Sequence, residues 1–508
     1  MFPTSHLSLT LTLFAASALM AEDKPKPSIK LNTTSDFLAV HAKGTVPRET
    51  TALEYRFAAT GEIAGESPWL PVEAKPGEDG TFAFDVKLHT ARWSELQVRA
   101  LKGAEELVKK ETHSMVSHDF EWLKTEAIQA LPEAERTAWQ VYMKRSLERS
   151  EHEYDLLSAE CRKLSLPASH RPPGNRAELE LDSDTPLEWF ATAEAAKTAE
   201  AILSYQTPTG GWSKAVDYTT GPRRPGTHWS NQSDDGWHYC GTFDNRTTTE
   251  QIKFLAGVAT ATKRDDAKAG AIRGIEYLLE AQYPNGGWPQ NYPVESGYHE
   301  AITLNDNAMV HVLEVLLAIT SKKPAFAIVD DALRQRVQAA YDKGIACVLA
   351  MQVKVDGNLT VWCAQHEPLT LAPAHARSKE PPSLSGGEST EMLKFLMRSG
   401  PLTNEVKTAI EAGVAWLDTH RITGLRKTKN DKGKTDYVSD GSSSEVYWAR
   451  FNDLKTGKPI FPGSQDGILY ATFPEMAAKN KVAYDFLTNK PRDVIGKEVT
   501  RWKKRLAK

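Results

Sequence analysis

The chain has few cysteines and no excess of positive charge, and both absences exclude classes of protein. Its 508 residues contain only four cysteines, which are Cys161, Cys240, Cys347 and Cys363. These are too few for a disulfide-dense scaffold, and no CxxC spacing indicates a metal site. Lysine and arginine number 62 against 66 aspartate and glutamate residues, which gives a net charge of −4. We therefore expect no nucleic-acid partner, although a local basic cleft can still bind an anionic substrate.

Long apolar stretches are also scarce, and the exception lies at the N-terminus. The segment HLSLTLTLFAASALMA ends in small residues, and no charged residue precedes Glu22. This pattern predicts a secretory signal peptide over residues 1–21, cleaved after Ala18 or Ala21. The alternative is an uncleaved anchor, for which the segment is short. We expect a secreted protein, extracellular or periplasmic, with no membrane span once the signal is removed.

Residues 24–115 alternate between apolar and polar side chains, which is typical of β-strands. Leu53, Tyr55 and Phe57 recur at every second position, and turn signals such as KPGEDG separate the runs. The pattern predicts a small β-sandwich similar to an immunoglobulin or fibronectin type III module. No residues with obvious chemistry cluster in it, so we interpret it as an accessory or substrate-anchoring module.

The rest of the chain is mainly α-helical by its pattern. A charged helical linker region is predicted over 118–180, because PASHRPPGN interrupts the pattern near its end. We assign a second domain to 182–490 and a cationic C-terminal helix to 491–508. Inside this domain, start signals that include capping boxes at Thr185 and Thr247 predict helices. Their predicted starts lie near residues 186, 248, 270, 307, 330, 388 and 404.

Two similar loops interrupt this helical domain. QTPTGGWSK occupies 206–214 and QYPNGGWPQNYP occupies 282–293, and each follows an apolar, helix-like run. Glycine permits the left-handed conformation that ends a helix, and we expect the following tryptophan to pack on the next hairpin. Repeated helical hairpins of this kind tend to close into an α/α toroid around a cleft. The loops indicate an architecture and no particular reaction.

Two further segments each place an aspartate beside an asparagine at the start of a helix. They are CGTFDNRTTTEQ, which contains Asp244, and EAITLNDNAMV, which contains Asp306. Since each follows a loop between helices, we expect both aspartates and the two Gly-Gly-Trp loops to share one rim of the bundle. One aspartate in such a place is usually a helix cap. Two of them facing one cleft favour a hard cation such as calcium, which prefers oxygen ligands.

A long proline-rich loop, VWCAQHEPLTLAPAHARSKEPPSLSGGES, occupies 361–389 and contains His366, His375 and Arg377. Two interpretations of Arg377 remain open at this point. It is either a surface charge paired with Glu380, or part of an anion site on the rim beside the carboxylates.

These motifs together resemble those of the pectate lyases of polysaccharide lyase family 10. The matching segments are GGWSK, TFDNRTTTEQIKFLA, YPNGGWPQNYP, ITLNDNAMV, the 361–389 loop and YWARF, and they occur in the family's order between about Ala195 and Ile468. The resemblance implies an α/α toroid whose cleft binds polygalacturonate, or pectin, together with Ca²⁺. It also implies cleavage by β-elimination, which leaves an unsaturated uronate.

The resemblance also implies roles for single residues. Arg377 takes the place of the catalytic base, Asp306 that of a calcium ligand, and Asp244 that of a catalytic carboxylate serving calcium or substrate. The residues expected to bind substrate are Lys214, Asn245, Trp288, His366 and Arg450. Arginine suits a uronate carboxylate because its guanidinium donates two parallel hydrogen bonds. Where the family carries Arg-Asp-Gly after PIFP, this chain has Gln465-Asp466-Gly467, so one subsite lacks its cation.

Three other functions compete with this interpretation. An inverting glycosidase on the same toroid would use Asp244 and Asp306 as its two carboxylates. A terpene-cyclase-like enzyme would need an acidic motif in an apolar cavity, which Asp234-Asp235 does not supply. A non-catalytic polysaccharide-binding protein would use exposed tryptophans as stacking platforms, and the candidates are Trp212, Trp229, Trp237 and Trp288. We expect the protein to be a monomer.

Overall fold

The structure is a computed structural model, and it describes most of the chain. The described residues are 28–35, 39–58, 69–87, 92–116, 120–166, 169–174, 179, 181, 185–230, 241–377, 380–429, 433, 435–464, 466, 468–482 and 485–507. The predicted signal peptide and anchor lie outside these residues, as do Cys240, Trp237, Asp234-Asp235 and Gln465. No helix in the described part is long and apolar enough to cross a membrane. Cys161, Cys347 and Cys363 are buried free thiols.

Seven strands form two antiparallel sheets in the N-terminal part that the structure describes. They are β1 (Lys30–Ser35), β2 (Ala39–Thr45), β3 (Ala52–Ala58), β4 (Leu70–Pro71), β5 (Thr81–Lys87), β6 (Arg92–Lys102) and β7 (Glu105–Val116). The sheets have the orders β1-β2-β5 and β4-β3-β6-β7. Leu53 and Leu96 of the second sheet pack with Phe82 of the first in one apolar cluster. The predicted strands are confirmed, whereas the immunoglobulin-like assignment stays a prediction.

Helices dominate the rest of the described chain. They are α1 (Thr125–Gln129), α2 (Glu133–Lys163), α3 (Ala193–Ser204), α4 (Thr249–Thr262), α5 (Asp265–Ala281), α6 (Ala308–Thr320), α7 (Asp331–Met351), α8 (Glu388–Ser399), α9 (Asn404–Thr419), α10 (Phe473–Lys479), α11 (Pro491–Asp493) and, after a π turn at Val494–Glu498, α12 (Val499–Leu506). Five of the predicted starts agree closely with the structure. The start predicted near 186 is that of a short 3₁₀ turn, Leu187–Ala191, and α3 itself begins at Ala193. Helix α5 begins at Asp265 and not near 270.

Two predicted helix caps are wrong. Thr192, not Thr185, caps α3, since its hydroxyl accepts the backbone N–H of Ala195 at 3.3 Å. Near Thr247, α4 begins after Thr248, and the Thr248 hydroxyl bonds the backbone N–H and C=O of Trp212 at 3.0 and 3.2 Å. The Thr248 hydroxyl therefore connects the start of α4 to the preceding loop and does not cap the N–H groups of the helix.

The helices from α3 to α9 form two layers. Hairpins α4–α5, α6–α7 and α8–α9 each pair an inner helix with an outer one, and α4, α6 and α8 contact each other in turn. The outer helices also contact each other in turn, in the order α3, α5, α7 and α9. Among the inner helices, α6 carries apolar residues around most of its circumference, as expected of a helix that is covered on most sides; it reads AMVHVLEVLLAIT and buries most of its residues.

A glutamine after each of three outer helices joins it to the next one. The side-chain amides of Gln206, Gln282 and Gln352 donate to Gly270, Ala340 and Ala409 of the following outer helix at 2.8–2.9 Å. In each repeat a tryptophan indole N–H donates back to the preceding helix, from Trp212 to Ile202, from Trp288 to Leu278 and from Trp362 to Val348. The Gly-Gly-Trp repeat is thus confirmed as structural. The Gln352–Trp362 segment makes the same glutamine and tryptophan contacts without the glycine pair.

The glycines of the two loops are required by close packing. Gly210 and Gly286 have φ of 110° and 96°, which glycine adopts without strain. A Cβ at Gly211 would lie 2.6 Å from the Tyr277 ring, and one at Gly287 would lie 2.5 Å from Ile302. Each loop therefore lies directly against its neighbouring elements.

Helix α2 packs on these same loops. The Tyr142 hydroxyl donates to the Ala281 carbonyl at 2.9 Å, and the Glu153 carboxyl accepts the backbone N–H of Thr209 at 3.1 Å. Trp139, Tyr142 and Met143 belong to the same apolar core as the hairpins. The helical linker is therefore continuous with the core of the second unit, and the predicted boundary near residue 182 stays a prediction.

Short strand pairs and a second cluster complete the described chain. The strands are β8 (Gly241–Thr242), β9 (Asn291–Tyr292), β10 (Ile302–Thr303), β11 (Lys354–Val355), β12 (Asn358–Leu359), β13 (Gln365–His366), β14 (Pro373–Ala374), β15 (Leu425–Lys429), β16 (Thr435–Ser439), β17 (Trp448–Ala449), β18 (Phe461–Pro462), β19 (Leu469–Tyr470) and β20 (Leu487–Thr488). Strands from β16 onward and α10 share an aromatic cluster that includes Phe461, Phe473 and Phe486. In the C-terminal helix, Trp502 joins the main core.

Candidate active site

Asp244 and Asp306 lie in two short 3₁₀ turns that precede the inner helices α4 and α6. The turns Asp244–Arg246 and Asn305–Asn307 contact each other. Asn245 and Asp306 have φ of 52° and 50°, a left-handed conformation that is uncommon outside glycine and that concentrates at functional sites. The two aspartates are therefore brought together, as the sequence predicted.

The carboxyl groups of these aspartates repel each other. Asp244 is 5% exposed and forms an ion pair with Lys214. Burial and the negative charges of Asp244 and Glu388 together raise the pKa of Asp306 to about 6, against the opposing effect of Arg450. Like charges in contact favour either a shared proton or a bound cation.

Arg450 closes the other side of this group. Its Nη2 donates to the Asn305 side-chain oxygen at 2.8 Å and lies 3.4 Å from a Glu388 oxygen. The Asn305 amide in turn donates to Asp306 at 2.7 Å. Neither Asn305 nor Glu388 was predicted from the sequence as a site residue. The position of Glu388 could have indicated its role, because this acid stands at the start of the inner helix α8. The inner helices α4 and α6 have their Asp-Asn pairs at the corresponding place.

A three-stranded sheet brings Arg377 to the same edge as Asp306. The strand order is β10-β13-β14, and both pairings are antiparallel, so β10 and β14 run in the same direction. Their last residues, Thr303 and Ala374, both pair with Gln365. Asp306 lies three residues after Thr303, and Arg377 lies three residues after Ala374. Since strands two places apart are roughly 10 Å from each other, the two residues follow the same end of the sheet.

Arg377 is held by Glu380 and lies over an aromatic ring. Its Nη1 is 3.7 Å from a Glu380 oxygen, and its backbone N–H donates to the other oxygen at 3.2 Å. The guanidinium carbon lies 5.6 Å from the centre of the Tyr298 ring, and the side chain is 43% exposed. The pairing with Glu380 that the sequence left open is present, and the guanidinium remains accessible.

A segment before α1 supports the loop that carries Arg377. The Glu300 carboxylate accepts the backbone N–H groups of Glu121 and Leu123 at 2.5 and 2.9 Å. Glu121 and Trp122 then both contact His375, with an Oε2–Nε2 distance of 3.2 Å and a ring separation of 5.4 Å. A part of the chain far from the recognised motifs therefore contributes to the site.

Two predicted substrate-binding residues are wrong. Trp288 is 1% exposed, and its indole N–H is already bonded within the core, so neither ring face is open to a sugar. His366 is fully buried, and its ring nitrogens contact the Leu371 carbonyl and the Cys363 N–H. Burial lowers the pKa of His366 to about 4, so the ring is a neutral structural bridge. Trp212 and Trp229 are buried as well. Of the four tryptophans predicted as stacking platforms, the three that the structure describes are therefore not exposed to a sugar.

The site therefore consists of Lys214, Asp244, Asp306 and Arg450 in one connected group, with Asn245 next to Asp244 and Arg377 at the same edge. Within the described part of the chain, no group of three or more His, Cys, Asp or Glu side chains is arranged to hold a metal by itself. The carboxylate pair nevertheless presents oxygen donors flanked by two cationic side chains. Such a surface suits an anionic substrate that contributes ligands of its own.

Comparisons with known proteins agree with this geometry. A search of the curated proteins finds no match. A family 10 polysaccharide lyase from Cellvibrio cellulosa is 31% identical over 64% of this chain and 99% of its own, with a TM-score of 0.53. A point mutant of a family 10 lyase from the same organism, solved with trigalacturonic acid, is 32% identical over 62% of this chain and 95% of its own, with a TM-score of 0.53. The sequence model of the pectic acid lyases matches residues 206–495, more than half of the chain. The chain belongs to the pectic acid lyase family, and it is a polysaccharide lyase.

Proposed function

We propose that the protein is a secreted pectate lyase that cleaves polygalacturonate by calcium-dependent β-elimination. The observation that carries the proposal is the contact between the Asp244 and Asp306 carboxyl groups, flanked by Lys214 and Arg450. A uronate polymer has a carboxylate on every sugar, which matches both the cationic side chains and a shared cation. The related enzyme that was solved with trigalacturonic acid supports the same substrate class.

Calcium fits the residues at this rim. Asp306 and Asp244 would supply protein ligands, and the substrate carboxylate would complete the oxygen coordination that calcium prefers. The cation would also relieve the repulsion between the two aspartates. When bound, calcium would stabilise the negative charge that develops on the substrate carboxylate as the C5 proton leaves.

Arg377 is the proposed base. The C5 proton is weakly acidic because it is alpha to a carboxylate, and its removal needs a basic atom within hydrogen-bond reach. Arginine is an unusual base because its guanidinium is protonated at ordinary pH, so we expect activity to rise into the alkaline range. Glu380 and Tyr298 hold the Arg377 side chain at the edge where Asp306 lies. Lys214 and Arg450 would bind uronate carboxylates beside it, and Asn245 would donate to the sugar.

The finer architecture belongs to the same proposal. We infer an α/α toroid over 182–490, an immunoglobulin-like β-sandwich over 24–115 with an accessory role, and a signal peptide over 1–21 that directs export. The inner and outer helix layers support the toroid, and the paired sheets with a shared core support the sandwich. The packing of α2 against the hairpins favours a catalytic unit that begins near residue 120.

The carboxylate geometry disfavours the inverting glycosidase. Such an enzyme needs about 6.5–9.5 Å between its two carboxyl groups to leave room for a water. Asp244 and Asp306 instead interact directly with each other, which disfavours an arrangement with a glycosidic bond and a water between them.

Product mass tests the proposal. Incubation with polygalacturonate and calcium should give oligomers whose new non-reducing ends lack the water that hydrolysis adds, and a chelator should stop their release. Oligomers that carry the added water would identify a hydrolase. Binding without any new ends would identify a non-catalytic polysaccharide-binding protein.

A further inference from the structure

The inner helices line a cavity that the proposed chemistry does not use. It has a volume of about 870 Å³ and is lined by side chains of α4, α6 and α8. We call it the inner-layer cavity and define it by Arg246, Lys253, His311, Glu314 and Lys394. It is large enough for a small oligosaccharide, and far larger than one ordered water needs.

His311 is the most informative residue of the inner-layer cavity. It is 7% exposed, and its Nδ1 has no hydrogen-bond partner among the residues that the structure describes. A buried polar atom without a partner costs roughly 1–3 kcal/mol, so native proteins rarely leave one unsatisfied. Burial and the nearby charges of Arg246 and Lys253 lower the pKa of His311 to about 3. The ring is therefore neutral and adds no charge to the lining. Because Nδ1 is itself closed to solvent, a ligand hydroxyl in the cavity would bond Nε2 of the ring.

The charges on the lining favour an anionic ligand that also carries hydroxyls. Basic side chains outnumber acidic ones there, although the whole chain has a net charge of −4. The lysines do not stand alone, since Lys253 lies 2.9 Å from Glu250 and Lys394 lies 2.9 Å from Glu391. These carboxylates would repel a bare anion, but they can accept hydrogen bonds from sugar hydroxyls. A carboxylated saccharide satisfies both kinds of partner.

The inner-layer cavity adjoins the rim. Arg246 and Asn307 line it, and they directly follow Asn245 and Asp306 in the two left-handed turns. A saccharide in the cavity would therefore lie next to the place where the chain is cleaved.

We propose that the inner-layer cavity is a second saccharide site, which binds short oligogalacturonates separately from the catalytic rim. The proposal rests on the proposed function, because its ligand is the class of product that a pectate lyase releases. Arg246, Lys253 and Lys394 bind the uronate carboxylates, and His311 and Glu314 bind hydroxyl groups.

Calorimetric titration of the full-length protein with digalacturonate, in chelator, tests this site. Lys394→Met removes a cation whose partner Glu391 is partly solvated, so the fold should survive. Ala325→Trp fills the cavity without removing a charge. We expect Lys394→Met to weaken binding about tenfold or more, the loss of one charge-assisted hydrogen bond, and Ala325→Trp to abolish it. Lys268→Met, an exposed lysine of α5, is the matched control and should bind like the wild type.

Asp306→Ala separates the cavity from the rim. Digalacturonate binding that survives in Asp306→Ala and fails in Lys394→Met supports the second site. Binding that is lost in Asp306→Ala and unchanged in Ala325→Trp, or that sulfate displaces at equal concentration, overturns it. Absence of any binding overturns it too, while turnover of polygalacturonate by the wild type would in that case leave the proposed function intact.

Discussion

Single residues at the rim are arranged for binding at a cost in stability. Asp244 and Asp306 share a site in which burial and mutual repulsion raise the pKa of Asp306, and the turn that carries Asp306 has a left-handed backbone. Neither feature stabilises the fold by itself. Both are expected where a ligand, and not the packing, has determined the sequence.

Replacement of Asp306 should therefore weaken calcium binding without weakening the fold. We expect Asp306→Ala to lower calcium affinity by at least about tenfold, since an oxygen ligand is lost. Its unfolding temperature in chelator should not fall, because a repulsive neighbour of Asp244 is removed. Calorimetry and thermal unfolding measure both effects. Asp331→Ala, an exposed aspartate at the start of α7, is the control, and calcium binding equal to wild type in Asp306→Ala would contradict the assignment.

Glu153 should make stability depend on pH. Its Oε2 has no partner among the described residues, and burial, assisted by the charge of Glu295, raises its pKa from 4.5 to about 7. A carboxyl with a raised folded-state pKa contributes stability that is complete below the unfolded pKa and is lost as pH rises through the folded value. The loss should be on the order of 3 kcal/mol between about pH 4.5 and 7.

Denaturant unfolding at several pH values measures this contribution. Glu153→Gln should flatten the decline between pH 5 and 8, because the amide does not ionise. A Glu153→Gln variant whose stability falls with pH as steeply as the wild type would rule out Glu153 as the cause.

At the scale of elements, local patterns predicted the helices well and tertiary contacts poorly. The alternation of strands and the helix starts follow from short-range periodicity, which a sequence displays directly. The third Gln-Trp copy was missed because Gln352 and Trp362 are separated by the β11–β12 hairpin and lack the glycine pair. Trp288 and His366 were misassigned because the sequence shows that a ring lies within a motif but does not show whether the ring faces the cleft or the core.

The contact of Trp122 with His375 should matter for turnover. We interpret Trp122 as a positioning residue for the loop that ends at Arg377. Trp122→Ala should lower kcat severalfold with little change in KM, because the base is displaced while the carboxylate-binding residues are untouched. Trp122→Phe should restore most of kcat. Equal kcat in Trp122→Ala and wild type, or no rescue by Trp122→Phe, would show that the segment is only structural.

At the scale of the whole molecule, the N-terminal strands and the helices have separate apolar clusters, which indicates where the chain can be truncated. The seven N-terminal strands have their own core, whereas α2 shares the core of the hairpins. A truncated protein that begins at residue 118 should fold and keep turnover of soluble polygalacturonate. One that begins near residue 182 would expose the surface covered by Trp139, Tyr142 and Met143 and should aggregate.

Size-exclusion chromatography and activity assays of the two truncations decide between these boundaries. A folded, active protein from residue 182 would contradict the role given to α2. A folded but inactive protein from residue 118 would show that the strand module takes part in catalysis.

The most direct measurement is the ultraviolet absorbance of unsaturated product, followed over time on polygalacturonate with wild type, Arg377→Lys and Arg450→Lys. The wild type should produce absorbance in proportion to new reducing ends. If Arg377 removes the C5 proton, Arg377→Lys should lose about 10² or more in kcat with KM nearly unchanged, whereas Arg450→Lys should chiefly raise KM. Reducing ends without absorbance, or an Arg377→Lys variant with near-normal kcat, would contradict the account.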